Sequence, residues 1–199
     1  MNTPPSCRLP DPNADSSSPR FIADAMLGKL ARWLRILGYD TRYDARADDH
    51  ELVRLARAEG RILLTRDRDL ARRRGVDCLF IEDEEVEAQL LQVMRDLTLS
   101  TARAFSRCVV CNEPLQPVDK AEVRNRVPPY VYRTQERFAL CHGCARVYWP
   151  ATHWQRMRER LATLELGAGL ALEHQGDRQE PSHREEPPTR GAHPVARKS

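Results

Sequence analysis

At 199 residues the chain has room for one ordinary domain and a small module, and no apolar run approaches the roughly 18–20 residues that cross a bilayer. The net charge is only +3, but from Arg20 to Arg74 lysine and arginine outnumber acids by fourteen to nine, with the excess including Arg72-Arg73-Arg74. Basic surface interrupted by a few acids suits a polyanion bound around a metal site, and equally a solvated, salt-laced surface.

Residues 1–19 carry five prolines and Ser16-Ser17-Ser18, and lack the apolar stretch of a signal peptide. A disordered arm and a cytoplasmic chain are expected. Phe21-Ile22-Ala23 reads as a short strand tipped by Asp24. Met26, Leu27, Leu30, Trp33, Leu34 and Leu37 then recur at helical spacing as far as Gly38, with Gly28, Lys29, Arg32 and Arg35 on the opposite face. Thr41-Arg42-Tyr43 suggests a second strand, flanked by Asp40 and Asp44 as turn residues. Asp49 is placed to cap a helix that presents Leu52, Val53, Leu55 and Ala56 and stops at Gly60.

Ile62-Leu63-Leu64-Thr65 makes a buried strand, followed at once by Arg66-Asp67-Arg68-Asp69-Leu70. Cys78-Leu79-Phe80-Ile81 makes another, and a helix is expected from about Glu84 to Leu97, with Val86, Leu90, Leu91, Met94 and Leu97 inward. Asp83 and its acidic neighbours suit the start of that helix. Strands alternating with helices at these intervals predict an α/β fold, a three-layer sandwich around a mainly parallel sheet over residues 20–100.

Cys108-Val109-Val110-Cys111 and Cys141-His142-Gly143-Cys144 follow, separated by 29 residues. Each short turn sets two thiolates on one side of a tetrahedral Zn²⁺. A zinc ribbon with a closing helix is therefore expected over 101–165, its folding driven by roughly 10–16 kcal/mol of apparent metal binding. Disulfides are the alternative, disfavoured without a secretory signal. His142 is not needed as a ligand when four cysteines suffice, and Cys7 and Cys78 stand outside the scheme. Residues 166–199, which include His174, His183 and His193, read as a disordered tail.

In open α/β sheets ligands gather beyond the carboxyl ends of strands, where Asp24 and Asp67 stand. With Asp69 and Asp49, up to four carboxylates could converge there. Oxygen donors without histidine favour Mg²⁺ or Mn²⁺, which can activate water against a phosphodiester. Lys29, Arg32 and Arg66 could hold the phosphates. Asp49 is equally explained as a helix cap, and Asp69 as a turn or cap residue.

The run Phe21-Ile22-Ala23-Asp24-Ala25-Met26-Leu27-Gly28-Lys29-Leu30-Ala31-Arg32-Trp33-Leu34, continuing to Asp40, closely resembles the opening of the Mut7-C RNase domain family of PIN-like nucleases. Asp49 heading a helix, the run Ile62 to Leu70, the two cysteine pairs and Tyr148-Trp149-Pro150-Ala151-Thr152-His153-Trp154 extend the resemblance over about Phe21 to Leu164. It implies Asp24, Asp49 and Asp67 as metal-binding acids, with Asp48 or Glu51 as substitutes at the second position and Asp69 as an accessory. PIN-like sites often carry glutamate at that second position, where this chain offers aspartate. The implied activity is metal-dependent, endonucleolytic hydrolysis of single-stranded RNA without a covalent intermediate. His153, between aromatic neighbours, reads as structural.

Some relatives carry an exonuclease or ubiquitin-like domain ahead of this one. With only a short arm before Phe21, neither is expected here.

Two rival readings remain: a non-catalytic RNA-binding adaptor using Tyr130, Tyr132, Tyr148 and Trp149, and a toxin-like PIN ribonuclease held by a cognate inhibitor protein. Oligomeric state is not legible in the sequence.

Overall fold

A computed structural model describes residues 18–150 and 152–167, the side chains at 152–156 and 165–166 excepted. The expected arm (apart from Ser18 and Pro19) and the tail beyond 167 lie outside the described residues, as do Cys7, the tail histidines and the side chains of His153 and Trp154.

Four strands, β1 (Phe21–Ala23), β2 (Thr41–Tyr43), β3 (Ile62–Thr65) and β4 (Cys78–Phe80), form a parallel sheet in the order β2-β1-β3-β4. Helices α1 (Gly28–Ile36), α2 (Asp49–Glu59), α3 (Arg68–Ala71) and α4 (Val86–Asp96) flank it. Successive side chains of a strand point to opposite faces, so both faces of this sheet are apolar. Phe21, Ala23, Ile62, Leu64 and Leu79 pack with α1 and α4, whereas Ile22, Leu63 and Cys78 pack with α2 and α3. The expected three-layer α/β sandwich is the fold. Leu30, Leu34 and Leu37 are fully buried under α1, each contributing roughly 1.5–3 kcal/mol.

The chain leaves β1 toward α1 on one face and leaves β3 toward α3 on the other. The connections after the paired strands β1 and β3 thus leave on opposite faces, the arrangement at which open α/β sheets form a crevice beyond the strands' carboxyl ends.

Several local expectations are corrected. Met26 is not inward: it sits in a 3-10 turn, Ala25–Leu27, ahead of α1 and is 67% exposed. Arg35, expected on the polar face, is 7% exposed because a remote loop covers it. Asp48, not Asp49, caps α2, its side chain accepting the Glu51 N–H at 2.8 Å. Helix α4 starts at Val86 and buries Val93 as well as Leu90 and Met94.

Beyond the sheet, β5 (Leu115–Val118), β6 (Phe138–Cys141) and β7 (Val147–Tyr148) form a small antiparallel sheet in that order. Val123, Val127 and Phe138 are its buried core, beside α5 (Pro129–Thr134). Helix α6 (Thr152–Gly167) returns to the first core, where Leu161 and Leu164 are buried. Arg160 pairs with Glu87 of α4 and lies 5.8 Å from the Trp33 ring centroid. No helix among the described residues is long and apolar enough to cross a membrane.

Candidate active site and zinc centre

Asp24 follows β1 directly and is only 6% exposed. Its Oδ1 accepts the Met26 N–H at 2.6 Å, capping the 3-10 turn, and its Oδ2 accepts the Thr65 hydroxyl at 2.6 Å. Thr65 ends β3, and its Oγ1 also accepts the Asp67 N–H at 2.9 Å. Asp67 caps α3, its Oδ1 accepting from Asp69 N at 2.7 Å and Leu70 N at 3.0 Å. One threonine hydroxyl thus ties the two strand-end acids together. Among the described residues neither Asp24 nor Asp67 forms an ion pair. Two neutral donors and no basic side chain hold the nearly buried Asp24 carboxylate, which leaves its charge open to a cation.

Asp67 is exposed, and so are the other expected acids. Asp49 is exposed in the first turn of α2, relieved of capping by Asp48. The Asp69 side chain is 89% exposed and meets Arg72 at 3.1 Å within its own helix. Among the described residues, Asp24, Asp49 and Asp67 do not close into a group with all ligand oxygens within 4.8 Å. Asp44 is a turn residue as expected, accepting the Arg46 N–H, whereas Asp83, expected at the start of α4, lies ahead of that helix and accepts the Glu85 N–H.

A cleft of about 460 Å³ opens at the turn that Asp24 caps, with Ala25 and Met26 in its wall, and none of the four expected acids lines it. Lys29 and Arg32 of α1 line it, with Tyr43 at the end of β2. The Tyr43 hydroxyl donates to Ala25 O at 3.1 Å, and a Cβ at Gly28 would lie 2.7 Å from its ring, so glycine there permits this approach. Arg66 points instead to Glu84 at 2.9 Å, with its Nε buried and without a hydrogen-bond partner among the described residues.

The four cysteines Cys108, Cys111, Cys141 and Cys144 bring all their Sγ atoms within 4.8 Å of one another. Cys108 and Cys144 are 3.5 Å apart, and Cys111 and Cys141 3.2 Å. A tetrahedral Zn²⁺ with 2.3 Å bonds needs sulfurs about 3.8 Å apart, so this cage fits structural zinc. The Tyr148 hydroxyl meets Cys108 Sγ at 3.0 Å. Burial pushes the Cys108 thiol up, but hydrogen bonds from the Cys111 backbone and Tyr148 outweigh it and bring the value down to about 6. Burial raises Cys141 to about 12. Tyr148 is half-buried and bonded, not the exposed aromatic expected; Tyr130 is, at 69%. His142 is exposed and outside the cage.

The first zinc knuckle docks on the α/β sandwich. Arg35 donates to Thr41 O at 2.9 Å, Val109 O at 3.1 Å and Val110 O at 2.9 Å. Asn112 accepts the Thr41 N–H at 3.0 Å and donates to Asp40 Oδ1 at 2.7 Å. Asp40, expected as a turn residue, is instead half-buried at this joint and pairs with Arg61 at 2.7 Å. Burial favours its neutral form, yet hydrogen bonds from Arg61 and Asn112 hold its carboxyl below the ordinary range.

Sequence reasoning missed Thr65, Arg35, Asn112 and Tyr148. Only Thr65 had a local signal, as a hydroxyl two residues before an acid at a strand end.

The sequence pattern of the Mut7-C RNAse domain matches residues 19–161. A human protein named "Exonuclease mut-7 homolog" is 35% identical over 103 residues, covering 47% of this chain and 12% of that protein. The chain therefore corresponds to a small part of that relative's length. No solved structure matches. With the sandwich, the strand-end acids and the four-cysteine cage in one matched span, the chain belongs to the Mut7-C RNAse domain family.

Proposed function

We propose that this chain is a divalent-metal-dependent ribonuclease that hydrolyses RNA phosphodiester bonds, acting endonucleolytically on single strands. The observation that carries this reading is Asp24, nearly buried, lacking a basic partner and hydrogen-bonded through Thr65 to the Asp67 turn. The human relative is named as an exonuclease, and phosphodiester hydrolysis alone is taken from it.

Asp24 and Asp67 are the principal ligands for Mg²⁺ or Mn²⁺, with Asp49 the third and Asp69 an accessory. Oxygen-only donors suit these hard cations. When bound, such a cation lowers the pKa of water and neutralises charge on the leaving oxygen. The Thr65 hydroxyl and the Met26 N–H fix the Asp24 carboxylate, so its oxygens need no reordering. Asp67 Oδ2 faces no donor among the described residues and is left for the cation. Lys29 and Arg32 hold the strand by its phosphates, and Arg66 secures the Glu84 loop as a further basic contact.

The test is cleavage of labelled single-stranded RNA with Mn²⁺ or Mg²⁺, compared with EDTA and with Asp67→Asn. Asparagine still caps α3, so the fold survives. Cleavage that vanishes in both controls supports the reading; cleavage that survives Asp67→Asn refutes the assignment. RNA bound but never cut would favour the adaptor, for which the exposed Tyr130 speaks. Growth arrest on expression, relieved by Asp67→Asn, would mark the toxin-like form with an inhibitor protein.

A further inference from the structure

The cleft at the turn that Asp24 caps has a chemistry that metal binding does not use. Met26 projects into it, 67% exposed, although its own N–H is locked to Asp24 Oδ1. Among the described residues, few large apolar side chains are left so exposed. Tyr43 forms a second wall, held by its bond to Ala25 O and by the missing Cβ of Gly28. Lys29 and Arg32 are exposed and form no ion pair among the described residues, whereas Arg42, Arg61, Arg66 and Arg72 all do. Two unneutralised cations beside a thioether and a phenol ring match the two halves of a nucleotide, a phosphate and a flat apolar face. The cleft's volume of about 460 Å³ is within the size range that small ligands occupy. Glu84 also lines it, already paired with Arg66, so Lys29 and Arg32 are the cations left for a phosphate.

We propose that this cleft seats one unpaired nucleotide of a single strand, its base against Met26 and Tyr43 and its phosphate at Lys29 and Arg32. The inference rests on the nuclease reading for its place next to the scissile bond, and it assigns Met26 as the base platform. Duplex is disfavoured because stacking between neighbouring pairs already covers the faces of its bases.

The test measures binding rather than cleavage. Zinc-loaded protein carrying Asp67→Asn is titrated, without added Mg²⁺ or Mn²⁺, against a short labelled oligoribonucleotide and its fully abasic counterpart. Adding Met26→Ala, a surface change whose fold is checked by circular dichroism, weakens binding of the intact strand roughly three- to tenfold. The same change leaves abasic-strand binding unaltered, since no base is there to lose. Lys29→Ala and Arg32→Ala each weaken both strands and reduce the log–log salt slope by about 0.7. Equal losses on intact and abasic strands, no loss with Met26→Ala, or no binding by the parent protein would each overturn the subsite. The cleavage assay judges the nuclease reading separately: normal cleavage with unchanged Met26→Ala affinity removes the subsite and leaves the nuclease standing.

Discussion

The Thr65 hydroxyl donates to Asp24 Oδ2 at 2.6 Å across the β1–β3 boundary, joining residues 41 positions apart in the chain. The same oxygen accepts the Asp67 N–H. Thr65→Val keeps the shape and the strand preference but strips a hydrogen bond from the nearly buried Asp24 carboxylate and from the N–H of the exposed Asp67. The expected cost is about 2 kcal/mol in urea unfolding. If the proposed metal site is correct, cleavage falls by roughly 10–100-fold, as when an outer partner of a metal ligand is lost. A stable Thr65→Val protein with full activity would show that the hydroxyl does not orient Asp24.

The cysteine cage carries its own prediction. Purified under reducing conditions, the chain should hold one zinc, and Cys111→Ser or a strong chelator should remove it. The small β5–β7 sheet has a core of few residues, so its amide protection should collapse with the metal while β1–β4 stay protected. Metal analysis with hydrogen exchange reads both. A fully protected, zinc-free ribbon would refute the structural role.

Arg35 is predicted to couple the knuckle to β2. Its guanidinium spans three carbonyls, Thr41 O, Val109 O and Val110 O, a fork that lysine cannot reproduce. Arg35→Lys should speed zinc release to a chelator and raise exchange at the knuckle and at Thr41. Wild-type release and exchange would mean that the cage holds itself.

Asp40 should make stability depend on acid. Its folded carboxyl lies below the ordinary value, burial being outweighed by hydrogen bonds from Arg61 and Asn112. The contribution is therefore complete above about pH 4 and is lost as pH falls through the depressed folded value. Asp40→Asn should cost roughly 1.5–3 kcal/mol at neutral pH, and the gap to wild type should close in acid. A gap that stays constant from neutral to strongly acidic pH would contradict this.

Much of this protein is legible in its amino-acid sequence alone. Short apolar runs mark β1, β3 and β4, and helical apolar spacing marks α1, α2 and α4, because these patterns lie within a few residues of one another; the strands of the ribbon and the short helices α3 and α5 carry no such mark. The two cysteine pairs announce the cage for the same reason: a knuckle is a local turn. Charged residues are harder to place. Arg35 looks solvated on its helix until a loop more than 70 residues away brings carbonyls to it, and Asp40 looks like a turn residue until Arg61 and Asn112 arrive. Met26 fits the helical period, yet lies in the 3-10 turn before α1, where that period does not apply. Which strands pair is likewise a long-range choice, and the pairing of β1 with β3 is what sets Thr65 between Asp24 and Asp67. Local periodicity specifies elements and their inward faces; the partners of polar groups come from distant segments, and only packing brings those together.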